Sequence, residues 1–241
     1  MQEIELSIDY ISYEDVTTPS ILETLIYLNM SSNYYWSDDF SARNYIALAK
    51  AGFISVTEHY QGNELLIPEI QFKYGLLDFK DLHISKKVQK LLKQKNFLLE
   101  INSDLEKVAK AIATLHKNSW LTPKYLTTLQ ETEKLDNNFK VHAIVLREDK
   151  KVIAGEIGYV IGKTYTSLSG FSKREKCYRD YGKVQLVLLA QYLEKNGFDF
   201  WNLGHPHMEY KLALGAKVYD RKEFLERWKR STRVNKNIRE Q

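Results

Sequence analysis

The stretch HAIVLREDKKVIAGEIGYVIGKTYTSLSGFS, residues 142–172, decides the fold class. Two runs rich in β-branched residues, His142–Leu146 and Val152–Val160, flank the charged turn Arg147-Glu148-Asp149-Lys150-Lys151 and predict an antiparallel pair of strands. Gly162-Lys163 starts the next connection, and Tyr165–Phe171 reads as a third strand. Downstream, Val184, Leu186, Leu188, Leu189 and Tyr192 predict a helix over 182–196, and Phe198–Leu203 reads as a strand. Upstream, Pro123 opens a helix that runs to about Leu135, and Leu105, Val108, Ile112 and Leu115 mark another over 103–116. A strand around Phe97–Ile101 and a Lys-rich helix over 85–95 precede them. Strands and helices mixed in this order predict an α/β domain of the α+β kind.

The first third is less regular. Ile21, Leu22, Leu25, Ile26 and Leu28 suit a short amphipathic helix, and Ser41 precedes a second, ending at Gly52. Residues 53–81 alternate apolar and polar positions loosely, so short strands or irregular packing fit equally. The expected division is a small N-terminal domain, 1–81, and a larger domain, 82–241, with a basic C-terminal tail. At 241 residues and 44% hydrophobic content the chain can bury one sizeable core, or one core plus a small appended domain.

Charge is almost balanced, 35 Lys+Arg against 31 Asp+Glu, so the total does not mark a nucleic-acid binder. Its distribution says more. Glu3, Glu5, Asp9, Glu14 and Asp15 make the start acidic, Lys86, Lys87, Lys90, Lys93 and Lys95 crowd ten positions, and Arg227 through Arg239 is basic. A single cysteine, Cys177, excludes an internal disulfide framework and suits a reducing compartment. The acidic start is unlike a signal peptide, and no apolar run approaches the ~18 residues needed to span a bilayer. A cytoplasmic protein without membrane contact is expected.

Five strings carry a resemblance: Leu82-His83-Ile84-Ser85, Trp120-Leu121-Thr122-Pro123, Val152-Ile153-Ala154-Gly155, Gly170-Phe171-Ser172 and Leu214-Gly215-Ala216. None is specific alone. In this order and at these separations they resemble the leucyl/phenylalanyl-tRNA–protein transferases, with Asp39-Phe40-Ser41-Ala42-Arg43 extending the likeness upstream. The resemblance implies a GNAT-like acyl-CoA N-acyltransferase fold behind a small N-terminal domain. It implies transfer of an amino acid from aminoacyl-tRNA to an amine acceptor, such as the N-terminus of a protein beginning with Arg or Lys or a small amine. That reaction marks the protein for degradation by the N-degron route. Aminolysis of an activated ester needs a neutral amine, a place for its proton and donors for the oxyanion, so no resident cofactor or metal is expected.

The matching positions depart from the family where the chemistry sits. An Asp-Cys-Gln string of the family is Asn202-Leu203-Gly204 here, and Asn is no general base near neutral pH. An upstream Glu of the family is Leu168, ahead of Ser169-Gly170-Phe171, and a family His corresponds to Tyr210. Local residues offer replacements. His205, His207 and Glu209 follow in Gly-His-Pro-His-Met-Glu, and a histidine has the right unperturbed pKa to take an amine proton. The same three could hold zinc, or one His caps the strand end while the other faces solvent. Glu156 falls where many GNAT enzymes keep a general base, or else is an outward-facing strand residue beside the charged turn.

The candidate catalytic set is therefore Asn202, His205, His207 and Glu156. Trp120, Leu168, Ser169, Phe171, Gly204 and Tyr210 form the candidate substrate pocket, Trp120 either stacking on an adenosine or walling the core. Lys86, Lys87 and Lys90, with Arg174, Arg179, Gly182 and Lys183, are candidates for nucleic-acid or phosphate contacts. Arg179-Asp180-Tyr181-Gly182-Lys183-Val184 matches the pyrophosphate loop of acetyl-CoA-dependent GNAT enzymes at its first and fourth positions. Two alternatives thus stand beside the monomeric aminoacyltransferase: an acyl-CoA-dependent N-acyltransferase, and a binding homologue that has lost the chemistry.

Overall fold

The computed structural model describes residues 8–116 and 119–233. The N-terminal part begins with β1 (Asp9–Tyr10) and α1 (Tyr13–Thr17), which Ser12 and Asp15 close in a reciprocal capping box. Then α2 (Pro19–Ile21) runs into a π-helical turn, Leu22–Ile26, in place of the regular helix expected over 21–28. Strand β2 (Tyr35–Trp36) leads to α3 (Ala42–Lys50), capped by the Ser41 hydroxyl, which accepts the Asn44 N–H at 3.2 Å. Residues 53–81 are ordered: β3 (Ile54–Tyr60) and β4 (Asn63–Glu69) pair in register across Gln61-Gly62, both at positive φ, as a two-residue hairpin turn requires. Strand β5 (Lys73–Leu77) follows.

The expected elements come next: α4 (Lys86–Gln94), β6 (Phe97–Glu100), α5 (Leu105–Leu115), α6 (Pro123–Leu135), β7 (Phe139–Glu148), β8 (Lys151–Ile161), β9 (Thr164–Ser172), α7 (Tyr181–Lys195) and β10 (Phe200–Asn202). Three further elements close the described chain: α8 (Glu209–Ala213), β11 (Lys217–Asp220) and α9 (Arg221–Thr232). Seven strands form one sheet in the order β11-β5-β10-β9-β8-β7-β6, antiparallel except for the parallel pair β10 and β9. β5 comes from the segment ahead of residue 82 yet lies inside this sheet, between β11 and β10.

Both faces of the sheet are covered, which is why β8 reads as an almost unbroken apolar run. Phe139, Ala143 and Val145 of β7, with Ile157, Tyr159 and Ile161 of β8, join α3, α5, α6 and α9 in one core. Ile144 and Leu146, with Ala154 and Val160, face α7 and α4 in the other. In the first core the Tyr45 and Tyr125 hydroxyls lie 2.6 Å apart, and Tyr125 donates to Ser55 O at 2.9 Å, tying α3, α6 and β3 together.

The described part of the basic C-terminal block is built into the fold. Arg227 forks onto Asp78 and lies 4.8 Å over the Phe200 and Tyr219 rings, and Lys229 pairs with Glu23 at 2.8 Å. Phe224, Leu225 and Trp228 bury the inner face of α9. Residues 234–239 of that block lie outside the described residues.

Arg221, 2% exposed, fastens the N-terminal segment to α9. Its guanidinium donates to Ile26 O and Tyr27 O at 3.3 Å, Ile70 O at 2.7 Å, Gln71 O at 3.1 Å, and Asn29 O. A planar fork can serve these carbonyls together and an ammonium cannot. Arg221→Lys should lower the urea-unfolding free energy by about 2 kcal/mol; a loss below a few tenths would mean that the carbonyls find other partners.

Candidate functional site

The two central strands part company, and that parting makes the site. β10 pairs with β9 only over Phe200↔Thr164, Trp201↔Tyr165 and Asn202↔Thr166. β9 stays paired with β8 as far as Ser172, through a register shift between Ile157 and Gly158. β10 meanwhile turns away with β5: Leu203 N–H donates to Gly75 O at 2.9 Å, and Gly75 N–H to Gly204 O at 2.7 Å. Gly204 makes that turn at φ +71°. Ser167–Ser172 is thus left with one edge facing a gap rather than a strand.

A cavity of about 660 Å³ fills the gap. Leu115, Trp120, Leu168, Phe171, Leu186, Leu203 and Met208 supply apolar walls, while Arg174, Gly182, Lys183 and Tyr210 stand around it. His116 closes part of the β9 edge, its ring Nε2–H donating to Gly170 O at 3.1 Å.

Glu156 sits in the wall, 4% exposed, on the α7 face of β8. Oε1 accepts from the Tyr165 hydroxyl at 2.9 Å and the Ser167 hydroxyl at 2.8 Å; Oε2 accepts from Gln185 Nε2 at 2.7 Å. Ser167 Oγ itself accepts from Trp201 Nε1 at 2.8 Å, so one hydrogen-bonded chain runs from β10 through β9 to β8. Burial raises the Glu156 carboxyl above its ordinary 4.5, and the three donors oppose that rise. A carboxylate has about four acceptor positions, of which three are used here.

Lys211 of α8 lines the same cavity and is 6% exposed. Its ammonium donates to Leu203 O and, at 2.9 Å, to His205 O, pinning the chain as it leaves β10. Burial pulls its pKa from 10.5 to about 8, against a smaller upward pull from Glu156. Composition and motif carry no signal for Lys211; only its place in the strand gap makes it part of the site.

The cavity brings together Glu156, Trp120, Leu168, Ser169, Phe171, Tyr210, Arg174, Gly182 and Lys183. It does not include Asn202, Gly204, His205 or His207. Asn202 is 1% exposed and its Oδ1 accepts the Gly204 N–H at 2.9 Å, a local turn contact. His205 Nε2 lies 2.8 Å from Glu69 Oε2, on the β4 side, and its ring stacks 6.3 Å from that of His207. Among the described residues no three His, Cys, Asp or Glu side chains converge on a metal position.

Basic residues lie on α4 and around the start of α7. Ser85 caps α4, burying Val88 and leaving Lys86, Lys87 and Lys90 exposed. Lys183 pairs with Asp180 at 3.0 Å, and with the nearby charges of Lys87 and Arg179 holds that carboxyl below its usual range. Asp180, at φ +68°, precedes α7 and offers no side-chain cap, although its carbonyl accepts from Lys183 N–H at 3.1 Å and Val184 N–H at 3.2 Å. A Cβ on Gly182 would lie 3.1 Å from both Cβ and Oγ of Ser172, so glycine lets the helix start approach β9.

The sign of the Glu156 effect is testable. Because the folded-state pKa is raised, the native protein binds more protons than the unfolded chain between 4.5 and that raised value. The contribution of this group to stability therefore falls as pH rises through the window. Glu156→Gln should show a flatter stability–pH curve there than the native protein, measured by urea unfolding at stepped pH; superimposable curves would contradict the assignment.

A sequence model of the family described as leucyl/phenylalanyl-tRNA protein transferase matches residues 76–229, which span the large sheet from β5 to α9. The transferase of that name from Paracoccus denitrificans is 21% identical over 160 residues, covering 66% of this chain and 71% of its own. That of Lawsonia intracellularis is 30% identical over 152 residues, 61% and 63% of the two chains. The match to the Azotobacter vinelandii enzyme spans 62% of that protein at 26% identity. Among solved structures FemX superposes with a TM-score of 0.47 at 9% identity, over 87% of this chain and 76% of its own. The chain belongs to the leucyl/phenylalanyl-tRNA–protein transferase family.

Proposed function

We propose that the protein is an aminoacyltransferase which takes an amino acid from the 3′ end of a charged tRNA and joins it to an amine, on a GNAT-type acyl-transfer fold with an N-terminal extension. The observation that carries this reading is the gap between β9 and β10, with a buried carboxylate in its wall and a basic surface at its mouth. Each part suits one need of aminolysis. The apolar wall of Trp120, Leu168, Phe171, Leu186 and Met208 fits a bulky apolar side chain. The unpaired edge of β9 offers backbone donors and acceptors to an extended acyl group. The free acceptor position on Glu156 can take an N–H of the incoming amine and aim its nitrogen at the ester.

Lys86, Lys87 and Lys90 are exposed on α4, Lys87 and Arg179 lie near Asp180, and Arg174 and Lys183 line the cavity; the tRNA backbone would run across these cations. A donor that is also the substrate of translation suits a cytoplasmic reaction, and an acceptor that is a protein N-terminus would put it in an N-degron route. Asn202 and Gly204, which replace the family's Asp and Gln, lie outside the cavity lining, so this reading rests the chemistry on residues inside it.

The uncapped start of α7 with Arg179 and Gly182 favours acyl-CoA as a second donor class, and one assay separates the two. The protein is given charged tRNA bearing an isotope-labelled Leu, Phe or Met, or acyl-CoA, together with a peptide beginning with Arg or Lys. Transfer of label from tRNA to the peptide α-amine, read by mass spectrometry, is expected. Transfer from acyl-CoA alone, or from neither donor, would overturn the proposal. Lys86→Glu, Lys87→Glu and Lys90→Glu combined should weaken tRNA binding and flatten its log–log salt dependence by about 2.

A further inference from the structure

We propose that Lys211 is the proton acceptor of the transfer reaction; this rests on the aminoacyltransferase reading above. The geometry carries it. A neutral lysine amine keeps two N–H bonds and gains one lone pair. Two carbonyls, Leu203 O and His205 O, already occupy two positions around Nζ. Loss of the third proton therefore costs neither hydrogen bond and leaves the lone pair at the remaining position, on a side chain that lines the cavity. An ordinary surface lysine has no such arrangement. Glu156 is less suited to receive the proton, since Tyr165, Ser167 and Gln185 already donate to it. Burial also holds the pKa of Lys211 down to about 8, which makes the neutral amine accessible near physiological pH.

The step balances without a co-reactant. The acceptor enters as a neutral amine, and its nitrogen bonds to the ester carbonyl carbon. The proton it sheds passes to Lys211 Nζ, the carbon–oxygen bond to the ribose breaks, and Lys211 returns the proton to the departing 3′ oxygen. The charged and titratable groups around Nζ are Glu156 from β8, Tyr165 from β9 through its bond to Glu156, and Tyr210 of α8, whose ring centroid lies 6.0 Å away. His205 contributes its carbonyl, and Arg174 and Lys183 stand at the mouth of the cavity.

The test compares native protein, Lys211→Arg and Lys211→Ala in the tRNA-dependent assay. With an acceptor amine weakly basic enough to stay neutral across the range, native kcat/KM should rise with pH to a plateau, with a midpoint near 8. Lys211→Arg keeps a charged donor for the carbonyls but does not deprotonate, so kcat should fall by about 100-fold with KM for charged tRNA held and the pH limb lost. Ethylamine should restore transfer to the peptide, as distinct from formation of the ethylamide, by Lys211→Ala in proportion to its concentration. An Arg variant with at least a third of native kcat and an unchanged pH profile would overturn the proposal while leaving the aminoacyltransferase reading intact. A native protein with no transfer at all would overturn both. If the variants do not fold, titration of the Lys211 methylene carbon by NMR in the native protein decides: a midpoint near 8 supports the role, and one above about 10, the unperturbed range, refutes it.

Discussion

A carboxylate buried between a sheet and a helix sets the terms for the centre of this protein. Isolated, it would cost several kcal/mol. Glu156 is retained because three side chains from β9 and α7 donate to it, and a fourth, Trp201 of β10, supports one of those donors. The demands of this network reach into the strands themselves. A Cβ on Gly158 would come within 2.4 Å of the Tyr165 hydroxyl oxygen, and one on Gly170 within 3.1 Å of the Glu156 Cβ. Side chains at these positions would displace the groups that hold the carboxylate, so glycine within these two strands has a packing reason.

The same network sits at the fork. Ser167, one residue beyond the last β9–β10 pair, is both donor to Glu156 and acceptor from Trp201. Beyond it β9 continues along β8, and β10 leaves with β5. The five short strings that carry the family resemblance lie around this fork although they are scattered along the chain. His83 N–H donates to Leu214 O at 2.8 Å, joining the first string to the last. Gly155 and Phe171 are register partners, and a Cβ on Gly155 would lie 2.7 Å from the Phe171 ring. Trp120 O accepts from the Thr57 hydroxyl at 2.7 Å, and Thr122 caps α6. At Gly215, φ +107°, a Cβ would be 2.0 Å from Asp81 O, which explains a glycine between Leu214 and Ala216.

Legibility in the sequence followed periodicity. The elements from α4 to β10 fall within a few residues of where apolar spacing puts them, because each buries a continuous stripe. The π-helical turn at Leu22–Ile26 and the helix α9 were not legible. In α9 the buried Phe224, Leu225 and Trp228 are interleaved with Lys and Arg, so charge masks the stripe and the segment reads as a basic tail. At the site, burial of Glu156 against α7 removes its outward-facing reading. His205 and His207 looked well placed at the end of β10, but the left-handed turn at Gly204 sends His205 to Glu69. Lys211 was invisible because a lysine on a short helix is ordinarily solvated; only the strand fork encloses it.

In the function proposed above, the fork receives the aminoacyl end of a tRNA. The most direct measurement of this adds a non-hydrolysable 3′-aminoacylamido-adenosine to the native protein and follows the indole and phenyl NMR signals. Saturable shifts are expected at Trp120 and Phe171, with weaker or no response at Trp36 and Trp228, which lie outside the cavity lining. Saturation without any change at Trp120 and Phe171, or no binding at all, would contradict it.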